Sequence, residues 1–224
     1  MFGTWMARAR ILGSETLAFL LAADCPGCGL PGTLLCPGCV MALAAHPVQR
    51  TTPAGVPVHA AHEFGGVVAR CIRRVKEDGQ TLLLPPMGAA LRAAIPNDWN
   101  GALFVPVPTS RAAFRRRGYR VPELLLRAAG RSPQRMLVST GSRTDQRGLG
   151  RAARAHNVRG SMRVRHPLLA PVGQGAEVVI VDDVVTTGAT IDEAARVLRR
   201  AGFRVIGAVA LAATPRTSKH GVNG

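Results

Sequence analysis

The stretch VVIVDDVVTTGAT, Val178 to Thr190, decides the fold. Glu177 to Val181 is an apolar run of the kind that fills a strand buried on both faces. Asp182 and Asp183 follow it directly, and a loop of small and hydroxyl residues comes next. Thr190 to Ala201 has helical patterning, with Gly202 as its stop. Phe203 to Ala212 reads as a second apolar strand. Strand, helix and strand in that order form a βαβ unit, which predicts an α/β fold on a parallel sheet. Ligands of such sheets bind beyond the carboxyl ends of the strands, where the two acids stand.

The residue types at that position divide by chemistry. Thr190-Ile-Asp-Glu193 fits a capping box, so a defined helix start is expected there. Its N–H groups and dipole favour an anion, and Gly188 lets the backbone approach closely. Carboxylates repel a phosphate and favour hydroxyl donors or a metal. A sugar phosphate satisfies both halves. Two other nucleotide folds are excluded, because the chain has neither G-x-x-x-x-G-K-[ST] nor G-x-G-x-x-G after a strand.

The whole stretch resembles the phosphoribosyl pyrophosphate (PRPP) signature of type I phosphoribosyltransferases. The resemblance implies that Asp182 and Asp183 hold the ribose hydroxyls. It also implies that Thr186, Thr187, Gly188, Ala189 and Thr190 hold the 5′-phosphate. Thr186 stands where purine-salvage relatives carry an acid. The implied reaction displaces pyrophosphate at the ribose anomeric carbon, with Mg²⁺ accompanying PRPP and an unassigned acceptor such as a nucleobase. An oxocarbenium-like transition state and a charged leaving group call for cations around the pyrophosphate.

Those cations are abundant. The chain of 224 residues has a formal net charge of +16, and of its 29 basic residues only Lys76 and Lys219 are lysine. Between Arg111 and Arg165, 15 arginines meet two acids, Glu123 and Asp145. Such one-sidedness predicts an anionic partner. Ala102 to Val107 reads as a short strand, and PVPTSRAAFRRRGYR, Pro106 to Arg120, follows as an arginine-filled loop. Arg111, Arg115 and Arg117 are pyrophosphate candidates there, and Arg143 and Arg154 are candidates in the second basic stretch, Ser142 to Met162. A basic loop near 139–156 is expected to close over the site. His156 lies within it and reads as a loop histidine.

Pro106-Val107-Pro108, Arg117-Gly118-Tyr119 and the spacing Gln146…Arg154-x-x-Asn157-Val158 resemble the ComF family of competence-associated, phosphoribosyltransferase-like proteins. Arg120-Val121 replaces the Asn-Gln that commonly follows in that family. The resemblance implies a type I phosphoribosyltransferase fold: a Rossmann-like parallel sheet flanked by helices, with a small N-terminal zinc module. It also supplies a second reading, a non-catalytic DNA-uptake accessory protein binding single-stranded DNA through the arginines. Phe114 and Tyr119 are the two aromatics in that belt, so such binding would be driven mainly by phosphates.

Cys25, Cys28, Cys36 and Cys39 are spaced C-x2-C-x7-C-x2-C, two Pro-Gly knuckles that present four thiolates to a zinc ion. Two disulfides would need an oxidising compartment, and a redox CxxC would open a βαβ unit. ComF proteins carry a similar module, and four ligands imply a structural role. Cys71 reads as core. Residues 1–24 are expected to form an amphipathic helix, with apolar positions 17, 20 and 21, and not a signal peptide or membrane insertion. A cytoplasmic protein follows. The expected organisation is a helix and cysteine module over 1–50, a phosphoribosyltransferase domain over 51–214 and a loose tail over 215–224. Residues 46–57 read as a linker or edge hairpin, 64–77 as an amphipathic helix, Pro86 to Ile95 as another, and Glu123 to Ala129 as a third.

Overall fold

A computed structural model describes residues 24–140, 159–165 and 175–215. The helix expected over 1–24, except Asp24, and the tail after Pro215 lie outside the described residues.

In chain order the elements are α1 (Pro37–Ala42), β1 (Val48–Thr51), β2 (Pro57–Glu63), α2 (Gly66–Glu77) and α3 (Leu84–Ala94). Then come β3 (Leu103–Pro106), α4 (Arg111–Arg117), α5 (Val121–Ala128), β4 (Leu137–Ser139) and β5 (Met162–Val164). The last three are β6 (Glu177–Val185), α6 (Ala189–Arg200) and β7 (Arg204–Ala213). Five strands form one sheet in the order β1-β2-β7-β6-β3, and β4 pairs with β5 apart from it. All neighbours in the large sheet are parallel except β1 with β2, so the 46–57 stretch is an edge hairpin.

The pleat of β6 sorts its side chains between two layers. Val179 and Val181 pack with Val209 and Leu211 against α2, α3 and α5. Val178 and Ile180 pack with Ala208 and Ala210 against α6, through Ile191, Ala194, Ala195 and Leu198. Val178, Val179, Ile180 and Val181 are all fully buried, which accounts for the unbroken apolar run. Helices thus cover both sides, and the fold is α/β with a mainly parallel sheet, as the βαβ reading predicts. At Gly207 the strand leaves room for Trp99, whose ring would lie 2.2 Å from an added Cβ.

Three local expectations need correction, and one strand was not foreseen. First, β6 does not end at Val181: it continues through both acids to Val185, paired with β7. On its other side β3 stops at Pro106, opposite Val181, so the acids emerge beyond that neighbour only. Second, the arginine loop after β3 contains a helix, α4, capped by Ser110 Oγ accepting from the Ala113 N–H and closed by left-handed Gly118. Third, no capping box forms at Thr190: the N-cap of α6 is Gly188, and Glu193 is engaged elsewhere. The unforeseen strand is β2, whose centre is two alanines flanked by histidines and so lacks the β-branched and aromatic residues that mark a strand.

Glu193 is buried and accepts from the Gly160 N–H at 2.8 Å and from Arg196 at 2.7 and 2.8 Å. It therefore ties the segment before β5 to α6. Burial acts to raise its carboxyl, but Arg196 and the Gly160 N–H outweigh it and hold Glu193 below its ordinary 4.5. A group depressed in the folded state adds stability above its unfolded value and loses it as pH falls through the folded one. Glu193→Gln should therefore cost ~1.5–3 kcal/mol at neutral pH, measured by denaturant unfolding. The gap from wild type should narrow as pH drops below 4.5. A gap constant with pH would contradict the assignment.

Candidate functional site

The site is built where β6 hands over to α6. Asp182 lies opposite Ala210, in the row that faces α6, and its Oδ1 accepts the Asp183 N–H at 2.8 Å. Asp183 continues the row of Val179 and Val181 towards α2, and it is buried. Its Oδ1 receives a hydrogen bond from Lys76 Nζ at 2.7 Å. Adjacent acids on one strand thus enter different surroundings.

The loop Thr186, Thr187, Gly188, Ala189 and Thr190 follows. Gly188 has φ 82° and starts α6, a 12-residue helix with Asp192 in its first turn. The first N–H groups of a helix have no partner within it, so they face this loop. Thr187 Oγ1 accepts from the Ala189 N–H at 3.4 Å, and the Thr186 carbonyl accepts from Thr214 Oγ1 at 3.1 Å. The turn between β1 and β2 lies against the loop: an added Cβ at Gly188 would sit 2.9 Å from Thr52 Cγ2. Asp192 fastens that turn by accepting from the Ala54 N–H at 3.2 Å. A cleft of about 290 Å³ opens here, lined by Arg50, Thr52, Thr186, Thr187 and Gly188 among others.

A second cleft of about 530 Å³ lies at the end of β3, lined by Thr109, Arg111, Arg120, Arg135, Arg163 and Arg165. Glu123, buried beneath it, gathers Arg135 at 2.6 Å, Arg120 at 3.6 Å and Arg127 at 3.9 Å. Arg120 also stacks 4.2 Å from the Phe114 ring centroid. Of the predicted arginines, Arg111 lines this cleft, whereas Arg115 is exposed on α4 and Arg117 is half-buried with its Nε unpartnered. Arg143, Gln146, Arg154, His156 and Asn157 lie outside the described residues. Arg135, Arg163 and Arg165 were not singled out by sequence, because the strands that bring them to Arg111 are three residues each.

The cysteines converge as their spacing predicts. Ligand atoms of Cys25, Cys28, Cys36 and Cys39 all lie within 4.8 Å of one another, with every sulfur but that of Cys28 on a buried residue. The Cys36 N–H donates to Cys25 Sγ at 3.4 Å. Burial acts to raise the Cys25 thiol, but N–H groups of Cys36, Gly27 and Cys28 bring it down to about 6. A thiolate is the form that binds metals, whereas burial and the neighbouring sulfurs push the Cys39 thiol up. The donor set and its packing fit a metal ion: an added Cβ at Gly27 would approach Cys39 Sγ to 2.5 Å. Leu35 and Val67 pack on the cluster, and Arg70 Nε donates to the Gly27 carbonyl, so the module rests on α2.

Residues 125–222 match the family model of the phosphoribosyl transferase domain, a stretch that contains the whole β6–α6 site. No curated protein matches the chain. Among solved structures, adenine phosphoribosyltransferase from Saccharomyces cerevisiae is 14% identical, covering 80% of this chain and 89% of its own, with a TM-score of 0.38. The adenine phosphoribosyltransferase of Rhodothermus marinus is 19% identical over 77% of this chain and 85% of its own, also at 0.38. Orotate phosphoribosyltransferase from Aeropyrum pernix is 17% identical over 78% and 80%, at 0.34. No helix among the described residues is long and apolar enough to cross a membrane.

Gly188 is the residue on which the loop geometry rests. A side chain there meets left-handed strain of roughly 1–2 kcal/mol, and Thr52 must also move. Gly188→Ala should lower the unfolding free energy by at least ~1 kcal/mol in chemical denaturation. An unchanged midpoint would contradict this geometry.

Proposed function

We propose that the chain binds PRPP at the β6–α6 junction and displaces its pyrophosphate, transferring the phosphoribosyl group to an acceptor. One observation carries this reading: Asp182 and Asp183, near the end of β6, are followed within five residues by a left-handed Gly188 that opens a 12-residue helix. The match of residues 125–222 to the phosphoribosyl transferase domain supports it.

In this reading Asp182 and Asp183 accept hydrogen bonds from the ribose hydroxyls. The N–H groups of Gly188, Ala189 and Thr190, with the hydroxyls of Thr186 and Thr187, receive the 5′-phosphate. Arg111, Arg120, Arg135, Arg163 and Arg165 face the pyrophosphate, where negative charge grows as the anomeric C–O bond breaks. Arg115, Arg117, Arg143 and Arg154 belong to the same belt by sequence. Mg²⁺, when bound, would neutralise charge on the leaving group. The acid pair itself is poorly suited to ligate it, because the Lys76 ammonium already occupies Asp183 Oδ1.

The test is thermal. Millimolar PRPP with Mg²⁺ should raise Tm, since a ligand at about 100 times its Kd adds roughly 2.7 kcal/mol. Asp183→Asn should remove the shift. No shift in the wild-type protein would sink the proposal.

The same arginines support a second reading, binding of single-stranded DNA. It calls for affinity that falls steeply with salt, because phosphate contacts release counterions.

For the cysteines, the proposal is a structural zinc ion held by Cys25, Cys28, Cys36 and Cys39. Zinc would add stability and leave no open ligand position. Metal analysis should find one zinc per chain, and chelation should lower Tm. Gly27→Ala, by crowding Cys39 Sγ, should weaken zinc retention about tenfold, the scale of a perturbed second shell. Retention equal to wild type would contradict this.

A further inference from the structure

Lys76 lies far from the β6–α6 stretch in sequence, yet its ammonium is placed on Asp183. The chain uses arginine for all but two of its 29 basic residues, and one exception stands on Asp183. Lys76 lies in the last turn of α2, where the helix dipole favours a cation. Its neighbour Val75 is fully buried, and the Val75 carbonyl accepts from the Tyr119 hydroxyl. Tyr119 directly follows Arg117 and Gly118, so the basic segment is latched to the turn that carries Lys76. The other charged groups of that turn face elsewhere: Arg74 pairs with Asp78 at 2.8 Å, and Glu77 is exposed.

We propose that Lys76 is a built-in counter-cation of the acid pair, a positioning and specificity residue for the sugar. Its ammonium takes the place on Asp183 that a divalent ion would otherwise claim. Asp183 is therefore held in one orientation and reserved for hydroxyl donors. Two chemical facts favour lysine over arginine at this point. An ammonium is compact enough to sit against one carboxylate oxygen, leaving the second oxygen for the ribose. It also has three donors, one of which Asp183 uses, so others remain for ligand oxygens. The pair is partly sheltered, with side-chain exposures of 28% for Lys76 and 12% for Asp183, so salt screens it less than a surface pair. The consequence is that the site selects a sugar phosphate bearing free hydroxyls and does not bind a metal on its own acids.

This inference rests on the PRPP reading for its second half only, and the experiment separates the two. Wild type, Lys76→Met, Lys76→Gln and Lys76→Met with Asp183→Asn are titrated with Mn²⁺ alone, read by electron paramagnetic resonance. PRPP affinity is then measured by calorimetry at low and high Mg²⁺. Thermal unfolding confirms which variants are folded, and either single variant suffices. Lys76→Met or Lys76→Gln should bind Mn²⁺ at least tenfold more tightly than wild type, and the gain should vanish when Asp183 is also changed. The same variants should bind PRPP at least tenfold more weakly at low Mg²⁺, with part of the loss recovered at high Mg²⁺. Mn²⁺ binding equal to wild type would overturn the counter-cation assignment whatever PRPP does. If no protein binds PRPP while the Asp183-dependent Mn²⁺ gain appears, the counter-cation assignment stands and the PRPP reading falls. Equal PRPP affinity with and without Lys76 would overturn its role towards the sugar.

Discussion

The doubly buried β6 strand constrains everything else. Val178 to Val181 have no solvent-facing side, so helices must cover both faces of the sheet. A strand so enclosed can present charge only where it leaves its neighbour, and β3 releases it at Val181. Asp182 and Asp183 are the first two residues beyond that point. The pleat then sends them to opposite layers, and Gly188 turns the chain into α6. Burial energetics of the strand and chemistry of the site are therefore one design. Each fully buried Val or Ile contributes ~1.5–3 kcal/mol, and the strand spends that stabilisation on holding carboxylates at a fixed edge.

A second line of support runs along α2. The cysteine cluster packs on Val67 and Arg70 near its start, and Lys76 meets Asp183 near its end. Nine residues of helix span ~14 Å, so the module and the acid pair are joined by a stiff rod and not by a loop. The buried face of α2, with Val68, Cys71, Ile72 and Val75, fixes its rotation. Cys71 belongs to that face, as its apolar spacing indicates.

Period and punctuation carried the fold. The apolar run of β6, the 3.6-residue pattern of α2 and Gly130 after α5 were legible because one strong signal dominated each. Thr190 and Glu193 misled for a physical reason: capping-box residues can serve tertiary partners, and Glu193 answers to Arg196 and the Gly160 N–H. The arginines of Arg111–Arg117 read as a loop because few apolar residues mark a helix there, and the helix buries none of its residues. Asp182, Asp183, the Thr-Gly loop and the four cysteines were readable as local motifs. Lys76, Thr52, Arg135 and Arg163 were not, since each reaches the site across a long sequence separation. Lys76 and Asp183 are 107 residues apart.

The central claim is a division of one ligand between two halves of one stretch of chain. A structure of the protein with PRPP bound tests it most directly. The account predicts the 5′-phosphate at the N–H groups of Gly188 to Thr190 and the ribose hydroxyls on Asp182 and Asp183 Oδ. PRPP held by the arginines of the β3 cleft alone, with the β6–α6 junction untouched, would contradict it.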